Sequence, residues 1–150
     1  MKLPTTTWVP GEGDRPDDAW IESVDPDLLV DVGVQLFERG QGFEAHEVWE
    51  RAWKTAKRAS DADLERMLRA LIKLAAASVK VRQHNAQGVL DHARGARALL
   101  EELEREGVVD VARVLVAPLL EMAKRVEVAP PLAEPVGKPM FGRISRSPKP

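Results

Sequence analysis

Glu44, His46, Glu47, Glu50 and Trp53 form the one dense group of chemically capable side chains, all within the run Glu44-Ala45-His46-Glu47-Val48-Trp49-Glu50-Arg51-Ala52-Trp53. At ~100° per helical residue, His46, Glu50 and Trp53 line one edge of an apolar face, and Glu47 lies beside Glu50. An imidazole and a carboxylate four residues apart can share a proton or a divalent metal ion. His46-Glu47-Val48-Trp49-Glu50 is one substitution away from the H-E-x-x-H pattern of zinc hydrolases, with Glu50 where the second histidine would stand. Nothing else in the sequence identifies a third ligand or a catalytic carboxylate. The doubled Glu-x-x-His of di-iron bundles is also missing, because Phe43 is the residue three before His46.

His84 and His92 are the only other histidines. Helix ends can meet in a bundle, so a metal set of His46, Glu50, His84 and His92 is one reading. The plain alternatives are a surface turn for His84, a boundary position for His92, and a core-edge His46 bonded to Glu50 or a helix-end carbonyl. No cofactor is expected unless that set holds a divalent metal. A second candidate surface is the basic stripe Arg66, Arg69, Lys73 and Lys80, which could hold an anion such as phosphate or face the carboxylates of the preceding helix. A solvated helix face is its plain alternative.

The elements that must position these groups follow from the distribution of proline. Ten of the eleven prolines fall at positions 4 to 26 or 130 to 150, leaving Pro118 alone between them. Two arms, residues 1–26 and 129–150, therefore flank a core at 27–128. Within the core the apolar period is helical. A first helix starts at Pro26 behind Asp25 and ends near Gly40, with the stripe Leu28, Leu29, Val32, Leu36 and Phe37. A second, about 43–58, buries Ala45, Val48, Trp49, Ala52 and Ala56. Asp61 caps a third, running to about Gln83, whose apolar side is Leu64, Met67, Leu68, Leu71, Ile72, Ala75 and Val79.

His84-Asn85 marks a turn, and a fourth helix buries Val89, Ala93, Ala96, Leu100 and Leu103 before Gly107 stops it. Asp110 is placed to cap a fifth, which Pro118 would kink or divide. Nothing alternates with the period of two that strands need, so the class is all-α, a single bundle of about five helices. Leu29, Val32, Gly33, Leu36, Ala45, Trp49 and Ala52 also fall at the spacings of a tetratricopeptide repeat. No second copy follows, and such repeats need about three units, so an ordinary helical hairpin in a closed bundle is the alternative.

Composition narrows function. The 150 residues contain no cysteine and no tyrosine, which excludes thiol nucleophiles, disulfides, thiolate metal sites and tyrosine acid–base chemistry. With 22 basic and 24 acidic side chains, the chain is near neutral, which argues against nucleic acid as a partner. No apolar run approaches the ~20 residues of a membrane span, and no leader segment is apparent, so a cytoplasmic protein is expected. The arms differ in sign. Residues 1–26 hold two basic against six acidic groups, a sum of −4, whereas 129–150 hold four against one, a sum of +3. Arms carrying Trp8, Trp20, Met140 and Phe141 are expected to dock, because large apolar groups gain by covering a surface.

Phe43-Glu44-Ala45-His46-Glu47-Val48-Trp49-Glu50 with Trp53, followed by Leu68-Arg69-Ala70-Leu71-Ile72-Lys73-Leu74-Ala75-Ala76, resembles domain-of-unknown-function family 309 over about residues 27–125. These are small helical proteins of bacteria and archaea. The resemblance implies an all-α bundle and a role for Glu44, His46, Glu47, Glu50 and Trp53, without an activity. The second motif departs from the family pattern: Arg69-Ala70 replaces Gln-Gly, and Lys73 replaces a further Gln.

The leading expectation is a non-enzymatic helical interaction module that binds a protein partner or itself, with Trp8 and Trp20 as exposed anchors. The alternative is a small-ligand or metal-binding protein, even a metal-dependent hydrolase, centred on the second helix.

Overall fold

The computed structural model describes residues 2–133 and 139–150. Glu134 and Lys138, which enter the charge sum of the C-terminal arm, lie outside them. Five α-helices dominate: α1 Leu29–Glu38, α2 Gly42–Arg58, α3 Ala62–Arg82, α4 Ala86–Arg105 and α5 Val116–Val128. The chain is all-α in class. Each large helix interface lies between consecutive helices, α1 on α2, α2 on α3, α3 on α4 and α4 on α5, around one apolar core.

The connections are regular. After each of the first four helices comes a residue with left-handed backbone: Gly40, Ser60, His84 and Gly107. In each case the next amide bonds back across the turn, as Gln41 to the Leu36 carbonyl, Asp61 to Ala56, Asn85 to Lys80 and Val108 to Leu103. Those are Schellman closures, which satisfy the orphan carbonyls of the helix end. Asp61 and Asn85 then cap the following helices by accepting from the amides of Leu64 and Gly88.

α1 and α2 pack closely. A Cβ at Gly33 would lie 2.0 Å from Nε1 of Trp49, so the indole occupies the space a side chain would need. That indole N–H donates to the Val30 carbonyl at 3.2 Å, and its ring lies 5.7 Å from Phe37.

Several expectations are corrected. Residues Pro26–Leu28 form a 3-10 turn capped by Asp25, so α1 begins only at Leu29, and Leu28 is 43% exposed. Leu64, Ile72 and Val79 are half-buried, because α3 turns Ala70, Leu74 and Ala77 inward beside the expected Met67, Leu68, Leu71 and Ala75. A two-strand hairpin, β1 Asp110–Val111 and β2 Val114–Leu115, stands where a helix start was expected, so Asp110 does not cap α5. Its two-residue loop, Ala112-Arg113, has φ of 48° and 65°, a conformation that favours Asn-Gly and gives no turn signal here. Pro118 is the third residue of α5, where amides have no helical acceptor, so it neither kinks nor divides the helix. Trp8 and Trp20 are half-buried rather than exposed.

Both ends of the chain lie against the helices. The Gln41 amide donates to the carbonyls of Pro4 (2.8 Å) and Thr6 (3.2 Å), and Gln83 donates to Pro10 (3.0 Å). At the other end Met140, Phe141 and Ile144 are buried. The Leu115 amide donates to the Ser145 carbonyl at 3.1 Å, and Arg146 pairs with Asp31 of α1 at 2.6 Å.

Replacing Gly33 by alanine should destabilise the protein by about 1–3 kcal/mol, through overpacking against Trp49. Urea unfolding at 25 °C measures it, and an unchanged midpoint would show that the indole can yield.

Candidate functional site

Trp49 sets the rotation of α2, so the residues one step around the helix face outward. His46 Nδ1 lies 3.3 Å from Glu47 Oε1 and 3.7 Å from Glu50 Oε2. Ligand atoms of these three residues all fall within 4.8 Å of one another, and among the described residues this is the one such group. Neither His84 nor His92 belongs to it. His84 is exposed, at the left-handed position that ends α3. The structure groups His46 with Glu47 and Glu50, and His84 and His92 stand outside that group.

An open cleft of about 200 Å3 lies between α2 and α3, lined by His46, Glu50, Trp53, Arg69, Ile72 and Lys73. Part of the acidic motif thus meets part of the basic stripe. The indole N–H of Trp53 is buried without an acceptor, while Lys57 sits 5.0 Å from the centre of its ring.

The rest of the stripe has other partners. Arg66 bonds Glu106, which raises its pKa most, and Asp63 at 2.8 Å, which adds to the rise. Lys73 and Lys80 run across Gly95 and Gly88 of α4, where an added Cβ would approach their side chains to 2.8 and 2.9 Å. Two lysines seven residues apart cross two glycines seven residues apart, which lets their stems pack closely on α4.

His92 lies among these cations. Burial first, then the charges of Lys73, Lys80 and His46, push its pKa below the ordinary value of 6.5. Glu47 is also shifted. The hydrogen bond with His46 lowers its pKa most, burial opposes this, and Arg15 adds to the lowering from 2.7 Å away.

The burial of Glu44 and the bonds that tie the N-terminal segment to the helices had no sequence signal. Glu44 is only 5% exposed, and its Oε2 accepts the Trp8 amide N–H at 3.1 Å. Arg15 reaches Glu47 across 32 residues, and Gln41 and Gln83 clip the N-terminal segment. A further concavity, of about 500 Å3, lies between residues 18–29 and α2 and shares Glu50 with the cleft.

The His92 shift gives a pH dependence of known sign. Its pKa is lower in the fold than in the unfolded chain, so below about 6.5 the unfolded state binds the proton first. Stability present above that value should fall between pH 7 and 5.5, and His92→Gln should flatten the fall. Glu47 acts in a separate window, below its ordinary value of 4.5. Equal slopes in parent and variant, by denaturant unfolding at several pH values, would refute the assignment to His92.

No curated protein and no solved structure matches the chain. A family model does match, over residues 30–91, a narrower span than the 27–125 of the sequence resemblance. It covers α1 to α3 and the start of α4, and so contains His46, Glu47, Glu50, Trp53, Arg69 and Lys73. Over residues 30–91 the chain matches the model of the family described as Domain of unknown function (DUF309).

Proposed function

We propose that the chain is a non-enzymatic helical binding module of the cytoplasm that reads an acidic group on a protein partner through the cleft between α2 and α3. One observation carries the reading: the buried, unpartnered N–H of Trp53 stands at the same cleft as Arg69 and Lys73, which have no ion-pair partner among the described residues. Three donor-bearing residues lining one cleft call for an acceptor with several lone pairs, and a carboxylate offers about four. Ile72 and the Trp53 ring supply apolar wall for the side chain that carries it. Tryptophan and arginine are also the residue types that dominate interface energetics. Among the described residues no hydroxyl nucleophile lines the cleft beside His46 and Glu50, which favours binding over acyl or phosphoryl transfer. The match to the family supports the choice of cleft, because all six lining residues lie within the matched stretch.

Short fluorescent peptides with a single Glu or Asp, compared with their Gln or Asn counterparts, test the reading by polarisation. The acidic forms should bind about tenfold more tightly, and the double variant Arg69→Ala, Lys73→Ala should erase that preference while circular dichroism stays unchanged. Equal binding of the acidic and amide forms would sink it.

The donor geometry favours a second reading, a divalent metal at His46, Glu47 and Glu50. Three such donors with a position left for water suit zinc, provided that Arg15 releases Glu47. Titrating chelator-stripped protein with zinc should then give one equivalent of heat. That heat should vanish in His46→Ala, Glu50→Ala and survive in His84→Gly; its absence in the parent ends this reading.

A further inference from the structure

Beneath the N-terminal segment lies another concavity, of about 220 Å3, that shares no lining residue with the His46 cleft. Its walls are aromatic and acidic. Trp8, Trp20 and Phe43 line it, with Glu44 and Glu47 of α2. Trp8 meets Phe43 edge to face, with centroids 4.8 Å apart and planes at 78°, so the two rings form adjoining walls.

Glu44 gives this space its chemistry. Its side chain is buried, one carboxylate oxygen takes the Trp8 amide, and the other, Oε1, has no partner. Thr7 also lines the space, and its hydroxyl is likewise buried and unpartnered. A buried carboxylate oxygen without a donor is uncommon and calls for a reason. The chain's own cation shows what the rim accepts. The Arg15 guanidinium carbon lies 5.4 Å from the centre of the Phe43 ring, and the group pairs with Glu47 at 2.7 Å. Arg15 satisfies Glu47 and leaves Glu44 Oε1 unmatched.

We propose that this concavity binds the head of an organic cation, an alkylammonium or guanidinium, with Glu44 as counter-ion and Trp8, Trp20 and Phe43 as walls. Aromatic faces attract such cations through their quadrupole, and a carboxylate fixes the charge at one end. A hard metal ion, which needs six or more oxygens, is poorly served by three rings. The volume falls below the ~300–1,000 Å3 of drug-sized ligands, which limits the occupant to a head group and a short stem. The last torsion of a glutamate is soft, so Oε1 can turn towards the cation without a shift of α2. Arg15 is the internal competitor at the rim. None of this depends on the partner reading, whose cleft is separate.

Calorimetry with n-butylammonium and n-butylguanidinium chloride on the full chain tests the site, with n-butanol and sodium chloride as controls. Saturable one-to-one binding of the two organic cations is expected, with none for the controls. Glu44→Gln keeps an acceptor for the Trp8 amide and should weaken binding about tenfold or more. Arg15→Ala, which removes the competitor, should tighten binding about threefold or more. Binding of the cations no stronger than that of butanol, or equal binding by Glu44→Gln and parent, overturns the proposal and leaves water as the occupant. Should Glu44→Gln lose its fold by circular dichroism, Arg15→Ala decides alone: tighter binding upholds the site, and unchanged or weaker binding overturns it.

Discussion

The seating of Trp49 against Gly33 is the contact on which the rest of the molecule depends. Trp49 heads the wholly buried side chains by size, and its indole fits only because residue 33 has no Cβ. The hydrogen bond to Val30 fixes the tilt of the ring, and Phe37 closes on it. Once Trp49 points inward, α2 has no rotational freedom left. At ~100° per residue, Ala45, Ala52 and Ala56 must share its face, and His46, Glu47, Glu50 and Trp53 must fall at the edge or outside. The outer face is thus a by-product of core packing, held on a rigid helix rather than a loop.

That face borders three concavities at once. Glu47 lines the two that the N-terminal segment helps to build, and Glu50 lines the one of about 500 Å3 and also the cleft with Arg69 and Lys73. A ligand in any of them meets a carboxylate that also faces a neighbour. His46 hydrogen-bonds Glu47 while Arg15 pairs with it from the other segment, so a charge change at either partner is felt at the other through one side chain. The links are short but partly exposed to water, which keeps each of them modest.

The sequence reading is strongest where the determinants are local. Asp61, Asn85 and Gly107 act within a few residues of themselves, and the apolar stripes of α2 and α4 follow from a period of 3.6; these elements could be read directly. It fails where a distant partner decides. Ala112 and Arg113 adopt a left-handed turn without Gly or Asn, helped by bonds from the Ser147 amide to the Arg113 carbonyl and from the Arg113 guanidinium to the Ser147 carbonyl. Pro118 is harmless only because the hairpin delays the start of α5. At the site, the spacing placed His46, Glu50 and Trp53 together, but the meeting with Arg69 and Lys73 depends on the register between α2 and α3. Glu44 gave no hint of burial, since its cover comes from Trp8, 36 residues away.

The order of helix packing explains why both ends of the chain matter. Because the large interfaces join consecutive helices, α1 has a single long helical neighbour. Ten residues are fewer than an isolated helix needs, so α1 must be held from more than one side. The C-terminal segment supplies the second side. Phe141 packs on Phe37, the Ile144 amide donates to Glu38, and Arg146 pairs with Asp31, while Ser145 and Ser147 bond the hairpin before α5. The segment Phe141 to Ser147 therefore ties the first helix to the hairpin that precedes the last. Without it, Phe37 would lose its cover, and Phe37 is one wall of the Trp49 pocket. The orientation of α2, and with it the spacing of His46, Glu47, Glu50 and Trp53, rests in part on residues more than eighty positions away in sequence.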